Sequence, residues 1–233
     1  MMRARDFWLV KTDSYGNTQW NKTYGGLGRD EAYSIQQTSD GGYILGGSTR
    51  SFGKGLSDFW LVKTDSTGEL MWNKTYGAPF FDVAYAVQQT SDGGCIVAGS
   101  TNSLGSGSED FWVIKTDPDG GMQWNKTYGG LYDEVAYSVQ QTSDEGYIIA
   151  GTTYSFGTSW DPDFWLIRLG ERRLVTDIDG DGTVNIKDLF MVSKAFGSKL
   201  GEPRWNPDAD TDGNKIINII DMYQVARDFG KTA

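Results

Sequence analysis

The chain has 233 residues, 38% hydrophobic and 22% charged, with a net charge of −10 and no histidine. The acidity argues against the basic surface a nucleic-acid partner needs, and the missing histidine excludes Ser-His-Asp and Cys-His catalysis together with His-ligated metals. Aromatics at 14%, with 31 glycines and only 5 prolines, predict many short strands and tight turns.

At the start, Met1-Met2-Arg3-Ala4-Arg5 leads straight into a strand-like run, without the apolar core of a secretory signal. No apolar run approaches the roughly 18 residues of a membrane helix. From Asp6 the chain repeats itself: near copies begin at Asp58 and Asp110 and a truncated one at Asp163, with spacings of 52, 52 and 53 residues. Long-period self-similarity marks solenoids and propellers.

The first full unit has four strand-like runs, Ala32–Thr38, Tyr43–Thr49, Asp58–Thr64 and Glu69–Tyr76. Phe59-Trp60-Leu61-Val62 is continuously apolar, as in a strand covered on both faces. Trp72, Lys74 and Tyr76 alternate with Asn73 and Thr75, which is the period of a strand. Gly46-Gly47, matched by Ala98-Gly99 and Ala150-Gly151, places small residues where neighbouring backbones crowd. Asp65-Ser66-Thr67-Gly68 predicts a turn in which the Asp accepts a backbone hydrogen bond and the Gly takes positive φ. Asp13–Gly16 and Asp117–Gly120 repeat that device, and Ser39-Asp40-Gly41-Gly42 and Ser91-Asp92-Gly93-Gly94 form the other hairpin. The lone Cys95 stands where Tyr43 and Tyr147 stand in the neighbouring units, and reads as a strand filler.

Asp65-x-Thr67-Gly68-x-x-x-Trp72 resembles the tryptophan-docking motif of quinoprotein-like propellers, and the unit resembles propeller repeats of prokaryotic surface and secreted proteins. The resemblance implies four-stranded blades over residues 1–169, with Trp20, Trp72 and Trp124 wedged between neighbours. It says little about ligand, and no residues specific to a quinone cofactor accompany the motif. Two strands before Asp30, two units of four and three final strands give thirteen, short of the sixteen of a four-bladed ring. The expectation is an incomplete ring: a piece of a longer propeller, or chains that self-associate to complete one.

Residues 170–175 form a short charged linker. In Asp177-Ile178-Asp179-Gly180-Asp181-Gly182-Thr183-Val184-Asn185-Ile186-Lys187-Asp188, oxygen side chains occupy positions 1, 3, 5, 9 and 12 of a twelve-residue loop. Gly182 stands at position 6, and Thr183 at position 7 offers its carbonyl. That is the spacing of a calcium loop, since Ca2+ takes many hard oxygens and clustered carboxylates need a cation. Asp210–Asp221 repeats it with Asp210, Asp212, Asn214, the Ile216 carbonyl, Asn218 and Asp221. There Lys215 occupies the turn position that favours glycine, so the second calcium site is expected to be weaker. Leu189, Val192 and Phe196 share one helix face before Gly197, and Met222, Val225 and Phe229 share another before Gly230. Pro203 and Pro207 leave no room for a helix entering the second loop.

This duplicated loop-plus-exiting-helix, over residues 176–233, resembles a type I dockerin. The resemblance implies a small α domain folded by two Ca2+ ions and attached to a cohesin-type partner. Recognition would fall on loop positions 10 and 11, here Ile186, Lys187, Ile219 and Ile220, which are more apolar than the hydroxyl pairs of cellulosome dockerins. The fold class expected is therefore mainly β, repeated propeller blades in an incomplete ring plus a small α calcium-binding dockerin-like domain.

Remaining features are weighed against plainer readings. Asn21, Asn73 and Asn125 each open an Asn-Lys-Thr sequon, explained as well by strand alternation. Asp30-Glu31 and Asp133-Glu134 offer a carboxylate pair of glycosidase type, but as repeated loop acids they are expected to be solvated. Ser159-Trp160-Asp161-Pro162 breaks the repeat and is a candidate local site. The function expected is a non-catalytic extracellular or cell-surface binding or scaffold protein, its propeller offering a surface to a carbohydrate or protein ligand. Two readings compete: a fragment or accessory subunit of a polysaccharide-degrading enzyme, and a calcium module acting only as an intramolecular cap.

Overall fold

The computed structural model describes residues 5–143, 145–157 and 161–170, with Met191, Pro207–Ala209 and Val225 beyond them. The chain divides into two compact units, Met1–Leu169 and Gly170–Ala233.

The first unit is built from antiparallel strands. β1 (Phe7–Thr12) and β2 (Thr18–Tyr24) form a pair. β3 (Asp30–Gln37), β4 (Tyr43–Thr49), β5 (Asp58–Thr64) and β6 (Leu70–Tyr76) form a four-stranded sheet in sequence order. β7 (Asp82–Gln89), β8 (Cys95–Thr101), β9 (Asp110–Thr116) and β10 (Met122–Tyr128) repeat it. β11 (Glu134–Gln141), β12 (Tyr147–Thr153) and β13 (Asp163–Leu169) form a three-stranded sheet. The result is a mainly β, propeller-like repeat of four-stranded sheets. The strands fall where the periodicity puts them, except that β3 starts two residues early because Asp30 pairs with Thr49 across the sheet.

Apolar side chains from successive sheets make the cores. Phe7 and Leu9 meet Leu45, Trp60 and Val62; Ile44, Phe59 and Leu61 meet Val87, Val97, Trp112 and Ile114; Ile96, Phe111 and Val113 meet Val139, Tyr147 and Ile149. One aromatic contact recurs at each junction: Phe7 on Trp60, Phe59 on Trp112 and Phe111 on Trp165, with ring centroids 4.5, 4.6 and 4.8 Å apart. The Phe ring needs space on the next sheet, and glycine provides it. A Cβ on Gly47 would lie 2.7 Å from the Phe7 ring and overlap the Glu31 carbonyl; Gly99 and Gly151 are placed likewise against Phe59 and Phe111. Trp20 and Trp72 lie over the turn glycines Gly68 and Gly120 of the following sheet, whose φ values are 79° and 76°. Trp124 meets Tyr147 edge-on at 5.8 Å. All three docking tryptophans thus touch the next sheet.

Polar groups follow the same period. Asp65 accepts the Thr67 and Glu69 N–H groups, as the turn motif requires. Buried Lys63 and Lys115 donate to Asp40 and Asp92, each at 2.7 Å. The sequon residues Asn73 and Asn125 accept the indole N–H of Trp60 and Trp112, each at 3.2 Å, which gives that repeated Asn a structural role. The inner strands are tied by glutamines, Gln36 Oε1 accepting the Gln89 N–H and Gln88 Oε1 the Gln141 N–H, each at 2.6 Å. Cys95 is buried, and burial pushes its thiol up to about 11, so it is inert at neutral pH.

Candidate functional site

In an up-and-down sheet, the loops leaving the second and fourth strands lie at one end and the two hairpin turns at the other. At the loop end, residues 25–29, 77–81 and 129–133 lie beside residues 50–57, 102–109 and 154–157, and one carboxylate per unit ties the two sets together. Asp82 is fully buried and accepts hydrogen bonds from the Thr101 hydroxyl, from the Ser103 hydroxyl at 3.0 Å and from the Ala78 N–H at 3.0 Å. Asp30 takes the Thr49 and Ser51 hydroxyls and the Gly26 N–H. Glu134 takes the Thr153 hydroxyl and the Ser155 and Gly130 N–H groups. A second buried acid holds the other loop: Asp58 accepts from Lys54 and Gly55, and Asp110 from Ser106 and Gly107. One acid from each of two successive sheets converges on the glycine between them, for a Cβ on Gly77 would overlap Asp58 Oδ1 and lie 2.9 Å from Asp82 Oδ2. Burial raises the Asp82 carboxyl; the hydrogen bonds it accepts lower it, and the Asp58 charge raises it further. Asp110 is raised by burial and, less, by Glu134.

This corrects the expectation that the repeated loop acids are solvated. Asp30 and Glu134 are 1% and 0% exposed, because their carboxylates are the acceptors that order the loops; of their neighbours Asp133 remains exposed. Glu31 is held at about 2: burial pushes it up, but hydrogen bonds from Arg29, Arg5 and Tyr33 outweigh that. A carboxyl so acidic carries no proton to give a glycosidic oxygen at neutral pH.

The loops held this way present apolar side chains to solvent. Leu27, Phe80 and Phe81, and Leu131 and Tyr132 recur on one set; Phe52, Leu104, Tyr154 and Phe156 recur on the other. A cavity of about 260 Å³ opens among Ser108, Tyr132, Asp133 and Tyr154. Contiguous exposed apolar surface marks interaction sites, so this end is the candidate ligand surface of the repeat unit. The sequence did carry a signal for it, an apolar residue within four positions of each Tyr-Gly, at Leu27, Phe80 and Leu131. Within the repeat-breaking segment, Asp161 and Pro162 are exposed, while Ser159 and Trp160 lie outside the described residues. Among the described residues, no group of three or more Asp, Glu, Cys or His side chains could hold a metal.

The calcium candidates Asp177, Asp179, Asp181, Thr183, Asn185, Asp188, Asp210, Asp212, Asn214, Ile216, Asn218 and Asp221, and the recognition candidates Ile186, Lys187, Ile219 and Ile220, lie outside the described residues. Within the second unit, Val225 is helical and fully buried, and Ala209 is buried at the end of a 3-10 turn over Pro207–Ala209.

A regulatory protein FlaEY of Caulobacter vibrioides is 30% identical over 115 residues, covering 44% of this chain and 12% of that protein. The chain thus corresponds to a small part of that relative. Residues 175–230 match the family model of the dockerin type I domain. Domains of that family bind calcium and dock, calcium-dependently, on cohesin-type partners. The chain therefore carries a dockerin-like domain at residues 175–230, joined to a mainly β unit of repeated sheets.

Proposed function

We propose that the chain is a non-catalytic extracellular or cell-surface adaptor. Residues 1–169 form the binding or scaffold domain, residues 170–175 the linker, and residues 176–233 the module that attaches the whole to a cohesin-type partner. Two Ca2+ ions bind the loops Asp177–Asp188 and Asp210–Asp221, the first more tightly. The carrying observation is that both twelve-residue oxygen-ligand patterns lie inside the segment matched to the dockerin family. The ordered apolar loop end supplies the surface for a carbohydrate or protein ligand, and the buried loop acids serve as latches there.

The test is binding of the full chain to a panel of immobilised cohesin modules, in calcium and in chelator. Retention in calcium, lost in chelator and lost again in Ile219→Asp/Ile220→Asp, is expected. A chain that binds calcium, gains helix on doing so, and is retained by no cohesin would overturn the adaptor reading in favour of an intramolecular cap.

A further inference from the structure

The first strands of three successive sheets carry the same irregularity. β3, β7 and β11 each shift register at one residue, between Ala32 and Ser34, Ala84 and Ala86, and Ala136 and Ser138. The extra residue is a tyrosine every time: Tyr33, Tyr85 and Tyr137. A bulge re-aims the side chain it carries, and these three rings meet in a row. Tyr33 and Tyr85 have ring centroids 5.2 Å apart at 54°, and Tyr85 and Tyr137 5.4 Å apart at 53°. The strands beneath are tied to one another: the Ser34 hydroxyl accepts the Val87 N–H at 3.1 Å, and the Gln36 and Gln88 bridges join the same three strands. Packing alone does not call for the hydroxyls, since the buried aromatic contacts at these two junctions use Phe on Trp. The phenols are reachable instead: Tyr33 and Tyr137 are 48% and 55% exposed, and Tyr85 between them is partly buried. The Tyr33 hydroxyl donates at 2.9 Å to the ionised Glu31 carboxylate, which gives a phenolic proton a path to water.

We propose that Tyr85 is an oxidative cross-linking site, whose ring forms a carbon–carbon bond to that of Tyr33 or Tyr137 and so staples two successive sheets. The oxidant is hydrogen peroxide acting through a peroxidase, which takes one electron from each phenol as the phenol loses its proton. The two phenoxyl radicals join at the ring carbons beside their oxygens. The hydrogen on each of those carbons then moves to the oxygen of its own ring and restores both phenols. In sum, two phenols and one hydrogen peroxide give one dityrosine and two waters. Coupling needs a partner ring already in place, and the two ring contacts make an encounter of radicals into a step within one molecule. Because Tyr85 belongs to both pairs, one bond forms first and the third tyrosine is left over.

The test is to treat the full chain, dilute enough to suppress coupling between chains, with a peroxidase and limiting hydrogen peroxide. Dityrosine fluorescence should appear in a chain of monomer mass, lighter by two hydrogens, and peptide mapping should join Tyr85 to Tyr33 or Tyr137. Tyr85→Phe keeps the ring and should lower the fluorescence by about tenfold or more, with unchanged circular dichroism. Tyr33→Phe and Tyr137→Phe should each retain it, because one pair survives. The oxidised chain should also unfold at higher urea than the untreated one, since a bond between residues 52 apart constrains the unfolded chain. An unaltered chain that yields no dityrosine, bonds formed instead through Tyr15, which is 89% exposed, or an undiminished signal in Tyr85→Phe would each overturn the proposal.

Discussion

Replacing Thr101 by Val keeps the shape of the side chain and removes one hydroxyl. That hydroxyl donates to the buried Asp82 carboxylate and accepts the N–H groups of Ser103 and Leu104 at 3.0 and 3.2 Å. A hydrogen bond to a buried charge is worth about 1.5–3 kcal/mol, and the stranded N–H groups add to the loss, so about 3 kcal/mol of stability should go at neutral pH. The loss should depend on pH, with a definite sign. Burial raises the folded-state pKa of Asp82 above that of an ordinary aspartate, so its ionisation opposes folding as pH rises from the unfolded-state pKa to the folded-state one. The Thr101 hydroxyl favours the charged form, and its removal raises the folded-state pKa further. The destabilisation should therefore be largest near pH 7 and shrink towards pH 4, where Asp82 takes up its proton. Urea titrations followed by tryptophan fluorescence report on the repeat unit, because every tryptophan but Trp205 lies within residues 1–169. A difference below about 1 kcal/mol, or one flat from pH 4 to pH 7, would refute the latch.

Other substitutions probe the same construction. Gly77→Ala sets a Cβ into two buried carboxylates and should cost more than about 3 kcal/mol, against about 1 kcal/mol for Gly16→Ala, where φ is 86° but the space is open; equal losses in thermal melts would show that the acids can give way. Glu145 sits at φ 63° where the equivalent Gly93 has φ 82°, so Glu145→Gly should raise stability by roughly 0.5–1 kcal/mol despite the added chain entropy. Calorimetric calcium titration should resolve a tighter and a weaker site, with Lys215→Gly tightening the weaker one about fivefold; two equal affinities in the unaltered chain would contradict the assignment. Calcium chelation should remove helical circular dichroism and leave the β signal of residues 1–169 intact.

The fold was legible because the repeat reports each feature several times over. A turn such as Asp65–Gly68 is readable from one copy, and the alternation of Trp72, Lys74 and Tyr76 gave the strand directly. The two twelve-residue loops point to calcium for another reason: oxygen side chains at alternate positions have one strong physical explanation, and the segment matched to the dockerin family spans both patterns. The buried acids were missed because a lone Asp in a loop looks solvated. The pattern that reveals them is joint, an acid at 30, 82 and 134 followed in every unit by Thr and Ser at 49 and 51, 101 and 103, 153 and 155. Donors and acceptor recur together because neither survives burial alone.

The apolar run of the third strands shows where local sequence stops being sufficient. Phe164-Trp165-Leu166-Ile167 is as hydrophobic as Phe59-Trp60-Leu61-Val62, and both predict a strand covered on both faces. For β5 that holds within the chain; for β13 it holds on the Trp165 face alone. Composition records the surroundings a strand is built for, whereas burial records what the described residues supply. Where the two disagree, at Trp8, Phe164 and Leu166, the mismatch is itself the signal, because large side chains left in water forgo roughly 1.5–3 kcal/mol each that burial would return. An isolated exposed Leu carries no such meaning. Phe164, exposed where its counterparts at 7, 59 and 111 are each covered by a Trp, shows that the repeat sets the side chain while the adjoining sheet sets its burial.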